Sequence, residues 1–216
     1  MKTIRVTGKG QIKVHPDTTR ITMTLERKFP EYAKAVSHSA QDTDKLKDIL
    51  AQYGFDRKEI KTLSFDVDTV FESYKENDAY RQRLAGYRYR HVLKAEFLSD
   101  GKRLGNILYA LTAGPLCPEI RISYTVSDPE SVKNTLLGRA VADAVQKARV
   151  LAETAGVGLG DIQSMDYPWS RVDFEMSPFS DAMPVMAPKM LKSVDLDMEP
   201  DDIEADDTVT VVWDIS

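Results

Sequence analysis

The stretch that most constrains how this chain can fold is Asp128 to Ile162, DPESVKNTLLGRAVADAVQKARVLAETAGVGLGDI. Asp128 offers a carboxylate to the free N–H groups at a helix start, and Pro129 suits the first helical position. Glu130 lies where the helix dipole favours negative charge. Leu137, Ala140, Val141, Ala144, Ala148, Leu151 and Ala155 recur at three- and four-residue spacing and share one face. Lys147 and Arg149 complement the C-terminal half of the dipole, and Gly156 can take the left-handed conformation that ends a helix. About 27 residues at ~1.5 Å each make a rod of about 40 Å, long enough to cross a whole sheet. Much of its face is alanine, so whatever packs on it must come close.

The rest of the chain supplies sheet to cover that rod. Ile4, Val6, Ile12 and Val14 alternate with polar residues, the period of a half-buried strand. Gly8 and Gly10 interrupt that apolar face and predict a bulge or a close backbone approach. Lys13 stands where a dinucleotide-binding loop would need its third glycine. His15-Pro16-Asp17 reads as a turn, and Ile21, Met23 and Leu25 begin a second strand, so an antiparallel hairpin is expected here. Pro30 to Tyr53 reads as a helix with Tyr32, Val36, Ala40, Thr43, Leu46, Leu50 and Tyr53 down one side. Leu63, Phe65 and Val67 mark a strand, and the polar stretch FESYKENDAYRQRLAG reads as a hairpin loop.

Tyr87, Tyr89, Leu93, Ala95 and Phe97 give a further strand. Leu104, Ile107, Leu108 and Leu111 follow as a short helix closed by Gly114-Pro115. Ile120, Ile122, Tyr124 and Val126 then form a strand entering the long helix. Beyond that helix, Ile162, Met165, Tyr167 and Trp169 suggest another strand. Residues 170–207 are rich in Pro, Met and Asp and read as an irregular excursion. Val209, Val211, Trp213 and Ile215 close the chain as a strand. In two places a helix ends at glycine (Gly54, Gly156) and an acidic-Ile-polar-hydroxyl strand start follows five residues later. Two related helix-to-strand units would produce this echo, and so would chance similarity between two capped helices.

Composition narrows the functional classes. A hydrophobic fraction of 42% and a charged fraction of 29% in 216 residues are ordinary for a globular chain. Cys117 is the sole cysteine, so no intrachain disulfide can form. No apolar run approaches the ~18 residues of a membrane span. The formal charge of −5 argues against a general nucleic-acid coat. It comes from one run: Asp195, Asp197, Glu199, Asp201, Asp202, Glu204, Asp206 and Asp207 outweigh it, so the remainder is nearly balanced. MKTIRVTGKG passes straight into strand alternation without a signal-peptide core. The expectation is a cytoplasmic location, with the periplasm or cell envelope as the alternative if a leader was removed.

Four segments, in order, carry a resemblance: IRVTGKGQIKVHPDTTRITMTL, AGYRYRHVLKAEF, AVADAVQKARVLAETAGVGLGDI and EPDDIEADDTVTVVWDI. Together they resemble the SIMPL-domain family, which includes periplasmic immunogenic and oxidative-stress-defence proteins of bacteria. In the last segment Asp201 or Asp202 takes the place of the family's usual glycine. The resemblance implies an α+β fold in which antiparallel strands carry two long amphipathic helices and a shorter one. It implies a single SIMPL-like domain over residues 1–216. It further implies a non-enzymatic, self-associating protein of the stress or envelope type, since some members form large homo-oligomers. The family brings no catalytic residue, cofactor or metal ligand to carry across.

Cys117 lies between Leu116 and Pro118 with no base in evidence and reads as a small apolar filler. His15, His38 and His91 have no metal-ligand spacing, and His91 falls on the apolar side of its strand as a hydrogen-bonded core histidine. Asp195, Asp197 and Glu199 alternate as in a calcium loop, but Pro200 stands where that loop needs glycine, so a solvated acidic loop is expected. Arg81, Arg83, Arg88, Arg90 and Lys94, interleaved with Tyr80, Tyr87 and Tyr89, form the surface of an alternative reading, a single-stranded nucleic-acid-binding module. Alternation tells against it, because Tyr87 and Tyr89 point away from Arg88 and Arg90. Phe174, Phe179, Met183, Met186 and Met190 are adaptable apolar groups on an irregular segment and are the candidate subunit contact.

Overall fold

A computed structural model describes residues 2–76, 79–168, 174–177 and 199–216. The fold is α+β. Strand β1 (Thr3–Val14) is followed by β2 (Thr18–Phe29), α1 (Tyr32–Ala51), β3 (Lys61–Glu76) and β4 (Ala79–Leu98). Then come α2 (Gly101–Ala113), β5 (Glu119–Thr125), α3 (Pro129–Ala155), β6 (Leu159–Asp166), the two-residue β7 (Glu175–Met176) and β8 (Ile203–Ile215). The chain forms two compact units, the first from residues 1–17, 125–176 and 200–216 and the second from 18–124 and 177–199.

Unit 1 is built on α3. Asp128 accepts a hydrogen bond from the Ser131 N–H at 2.9 Å, Pro129 opens the helix, and Gly156 ends it at φ 69°. The buried stripe is Leu136, Ala140, Ala144, Ala148 and Ala152, a strict four-residue spacing. Leu151, expected on the buried face, is largely exposed. The sheet runs β1-β8-β6, all antiparallel, with Val6, Val209, Val211 and Trp213 turned to the alanine stripe. Side chains at every fourth position form an inclined ridge, and the strand seated on that ridge carries glycine where it crosses. A Cβ on Gly10 would lie 2.1 Å from the carbonyl oxygen of Leu136, which only the missing side chain permits. Val126, Phe174 and Ile203 form a second small core in this unit.

Unit 2 lays α1 and α2 on one face of a sheet ordered β3-β4-β2-β5. Its core joins Ile21, Met23 and Leu25 to Leu46, Leu50, Leu93, Ile107 and Leu111. Asp100 caps α2 by accepting from the Arg103 N–H at 3.0 Å. Arg103 also lies over the rings of Phe55 and Phe97, at 4.6 and 4.9 Å from their centroids.

Three expectations are corrected. β1 and β2 do not pair as a hairpin: β1 pairs with β8 and β2 with β4. The two strands alternate alike, and alternation records a buried face without naming the neighbour. The stretch FESYKENDAYRQRLAG is not a loop, since β3 and β4 continue through it as a paired ribbon, described to Glu76 and from Ala79. The C-terminal strand begins at Ile203, within the stretch 170–207 expected to be irregular, so part of the acidic run lies in the sheet. The glycine echo takes a definite form: Phe55 N–H reaches Leu50 O and Val157 N–H reaches Ala152 O, with Gly54 and Gly156 both left-handed. Each unit thus has a helix that ends this way and leads into a strand.

Candidate functional site

The most concentrated polar chemistry lies in unit 2, beneath α1. The buried stripe of α1 is Ala35, Ser39, Asp42, Leu46 and Leu50, so its first half is rotated from the face that hydrophobicity alone selects. Asp42 is 1% exposed. Its Oδ2 accepts from the Tyr89 hydroxyl at 2.6 Å and lies 3.3 Å from the Arg27 guanidinium, while Lys45 sits one turn along at 3.8 Å from Oδ1. A carboxylate is tolerated at this depth because a hydroxyl and two cations converge on it. Burial, then the hydrogen bond to Asp42, raises the Tyr89 pKa well above the ordinary tyrosine value. Arg27 also donates to Pro115 O at 3.2 Å. The cluster fixes α1 on the sheet.

His91, half-buried, bridges Thr43 and Thr62 at 2.9 Å on either ring nitrogen. Thr43 spends its own hydrogen on Ser39 O at 2.8 Å, so it accepts from Nδ1–H, and Nε2 accepts from Thr62. Burial, with Lys47 adding, lowers the His91 pKa below its ordinary value. Cys117 is exposed at φ 38° and donates weakly to Thr112 O and Gly114 O. It is an exposed thiol, not the apolar filler expected. Among the described residues no three His, Cys, Asp or Glu side chains converge as a metal set. In unit 1, Asp207 is buried and accepts from Tyr167 at 2.8 Å, so this member of the acidic run is a sheet-packing group. An open depression of about 610 Å³ beside it is lined by Arg5, Met165, Asp166, Tyr167, Pro168 and Thr210.

The Arg/Tyr strand is β4. Its register on β3 slips at one point, where Val70 faces Gly86 and the next pair is Phe71 with Leu84. The extra residue is a bulge, and Gly86 at φ 137° accommodates it where a Cβ would meet Phe29 O at 2.4 Å. Alternation is therefore shifted by one beyond the bulge. Arg81 and Arg83 join Arg88 and Arg90 on the face away from the helices, with Lys94 further along. Tyr80, Tyr87 and Tyr89 all take the helix-facing side. The three tyrosines of β4 thus fall opposite its arginines, and the aromatic ring that shares the arginine face is Tyr74 of β3, 5.5 Å beneath the Arg83 guanidinium. Arg83 pairs with Glu72, Arg88 with Glu26 at 3.4 Å, and Lys94 with Glu96 at 2.9 Å. Arg90 stands opposite Glu26 and Asp66, and Arg81 opposite Tyr74.

Of the Phe/Met candidates, Phe174 is buried against Val126 and Ile203 inside unit 1, and Phe179, Met183, Met186 and Met190 lie outside the described residues. The helix-facing side of the ribbon holds what the sequence did not single out. Phe71, Tyr80 and Leu84 lie on it, and Phe65 precedes them on β3; at their side are Tyr32 and Val36 of α1, which amphipathic spacing assigns to the core. All six are exposed.

A profile of the SIMPL family, described as "Protein of unknown function (DUF541)", matches residues 4–213. The chain belongs to the SIMPL family. It is 24% identical over 160 residues to the 26 kDa periplasmic immunogenic protein of Brucella abortus, covering 74% of this chain and 64% of that protein. The chain thus spans less than two thirds of that relative's length. It is 25% identical over 218 residues to the uncharacterized protein YggE of Edwardsiella ictaluri, covering 97% of this chain and 85% of the relative. The regulatory subunit of aspartate kinase from Thermus flavus aligns over 97% of this chain and 89% of that one at 11% identity. Its TM-score of 0.18 carries no argument. Among the described residues no helix of this SIMPL chain is long and apolar enough to cross a membrane.

Proposed function

We propose that this chain is a non-enzymatic, self-associating SIMPL protein of the stress-response or cell-envelope type, its domain running through both units. The observation that carries this is a contrast within unit 2. The ionisable side chains at its centre are tied into the fold: Asp42 by Tyr89 and Arg27, His91 by two threonines, Glu96 by Arg20 and Lys94. Large apolar side chains, by contrast, stand in water. Monomeric proteins seldom leave contiguous apolar surface of more than a few hundred Å² uncovered. The Brucella relatives are named periplasmic immunogenic proteins, which favours the cell envelope as the compartment. Sedimentation equilibrium tests the reading. A particle of two or more 24.3 kDa subunits is expected. Tight, salt-sensitive binding of a short oligonucleotide, lost on replacing Arg88 and Arg90, would favour the nucleic-acid reading instead.

A further inference from the structure

The ribbon of β3 and β4 has two unlike faces, and the bulge at Gly86 makes them so. Pleating puts alternate residues on opposite sides, and directly paired residues share a side. Val67 pairs with Tyr89, Thr69 with Tyr87, Phe71 with Leu84 and Lys75 with Tyr80, which places all of these on the side where α1 lies. Asp66, Asp68, Glu72 and the four arginines take the other side. Without the extra residue in β4, Leu84 and Tyr80 would have fallen among those charges and Arg81 and Arg83 among the tyrosines.

α1 covers only part of the apolar side. It begins at Tyr32, whose ring meets Tyr87 edge-on at 5.7 Å between centroids, and among the described residues no helix covers the ribbon past that point. Tyr32 and Val36, one helical turn apart, extend the apolar side onto the helix. Tyr80 is 81% exposed, Phe71 57%, Tyr32 55%, Leu84 50%, Phe65 44% and Val36 37%. At roughly 200 Å² for a fully exposed aromatic side chain, these six expose on the order of 600 Å² between them, spread along about 30 Å of the ribbon. That is at the upper limit for the largest apolar patch of a monomer and close to the ~800 Å² each partner gives to a stable interface.

Resting on the self-association proposed above, we infer that this face is an isologous contact with a second copy of the same chain. Two properties select a second copy over an oppositely charged partner. The area suffices for a two-fold contact when both copies bury the same patch. Beyond Tyr87 the ribbon side of this face carries one charge, Lys75, with Thr69, Ser73 and Gln82 as its other polar residues; His91 and Lys47 lie at the Phe65 end, and the carboxylates and arginines of the ribbon sit behind it. Placing it against itself therefore meets no block of like charge, and it offers nothing to attract a strongly acidic or basic protein.

The test compares particle masses by light scattering for the full chain, the double variant Phe71→Ser with Leu84→Ser, the single variant Tyr80→Ser, and Leu98→Ser. Leu98 is 70% exposed at the far end of β4 and serves as the control. The expected result is at least a twofold fall in mass for the double variant, a shift toward the smaller particle for Tyr80→Ser, and no change for Leu98→Ser. Thermal unfolding of each should stay close to wild type. Should the double variant unfold, Tyr80→Ser decides alone, because a side chain so exposed is not needed for folding. A wild-type multimer whose mass survives the Phe71, Leu84 and Tyr80 changes overturns this contact while leaving self-association standing. A wild type already at 24.3 kDa overturns both.

Discussion

A Cβ built on Gly8 would lie 2.1 Å from the carbonyl oxygen of Ala140 and 2.7 Å from the Cβ of Ala144. Strand β1 and helix α3 therefore meet backbone to backbone, and alanine on the helix is matched by glycine on the strand. Gly8→Ala should cost about 3 kcal/mol, at the upper end for overpacking, because the obstacle is main chain and cannot swing aside. Gly138→Ala on the exposed side of the same helix, with nothing within 4 Å, should instead gain about 1 kcal/mol. Chemical denaturation of both variants reads the contrast, and equal stabilities would refute the close approach.

Much of unit 1 was legible in the sequence because its signals are local. Asp128-Pro129 and Gly156 delimit α3 to within a residue, and the alanines together with Gly8 and Gly10 announce a close contact. What was illegible is set by partners far along the chain. Nothing within residues 18–29 shows that β2 pairs with β4 and not with β1. The rotation of α1 depends on Asp42 turning inward, and the reason for that is Tyr89, 47 residues away. With the helix so turned, Tyr32 and Val36 pass from expected core to exposed surface. The ribbon has the composition of a loop because its polar face dominates it, and the bulge at Gly86 reverses alternation halfway along.

Tyr89→Phe removes the hydroxyl that donates to Asp42 and leaves a buried carboxylate short of one partner. A loss of about 1–3 kcal/mol is expected. Tyr87→Phe, two residues away and partly exposed, should change stability by less than about 0.5 kcal/mol. Urea unfolding midpoints of the two variants supply the comparison. An equal effect at both positions would mean that the Asp42 cluster does not hold α1.

His91 gives unit 2 a pH dependence of defined sign. Its folded-state pKa lies below the ordinary ~6.5, so on acidification the unfolded chain takes up this proton first. Stability should fall as pH drops below ~6.5 and stop falling from this source once pH passes the lowered folded-state value. Above ~6.5 the residue contributes no slope. His91→Gln, which can still bond to both threonines, should flatten that part of the profile. Unchanged slopes between pH 7.5 and 5 in wild type and variant would contradict the assignment.

β8 is the central strand of its sheet, paired on one side to β1 and on the other to β6, and Trp213 lies in the alanine-lined core. Removing the residues after Asp207 should unfold unit 1. Trp213→Ala should cost about 3–5 kcal/mol. A truncated chain with the wild-type melting temperature would show that β8 is dispensable.

The central claim, that this SIMPL chain associates through apolar surface, is tested most directly by the light-scattering mass of the wild type at low and high salt. An apolar contact is not screened, whereas one held by charges weakens as the Debye length shrinks to about 3 Å at 1 M. The account predicts a mass of at least two 24.3 kDa subunits that rises with protein concentration and persists in 1 M salt. A mass of 24.3 kDa at every concentration, or a multimer that dissolves in salt, would contradict it.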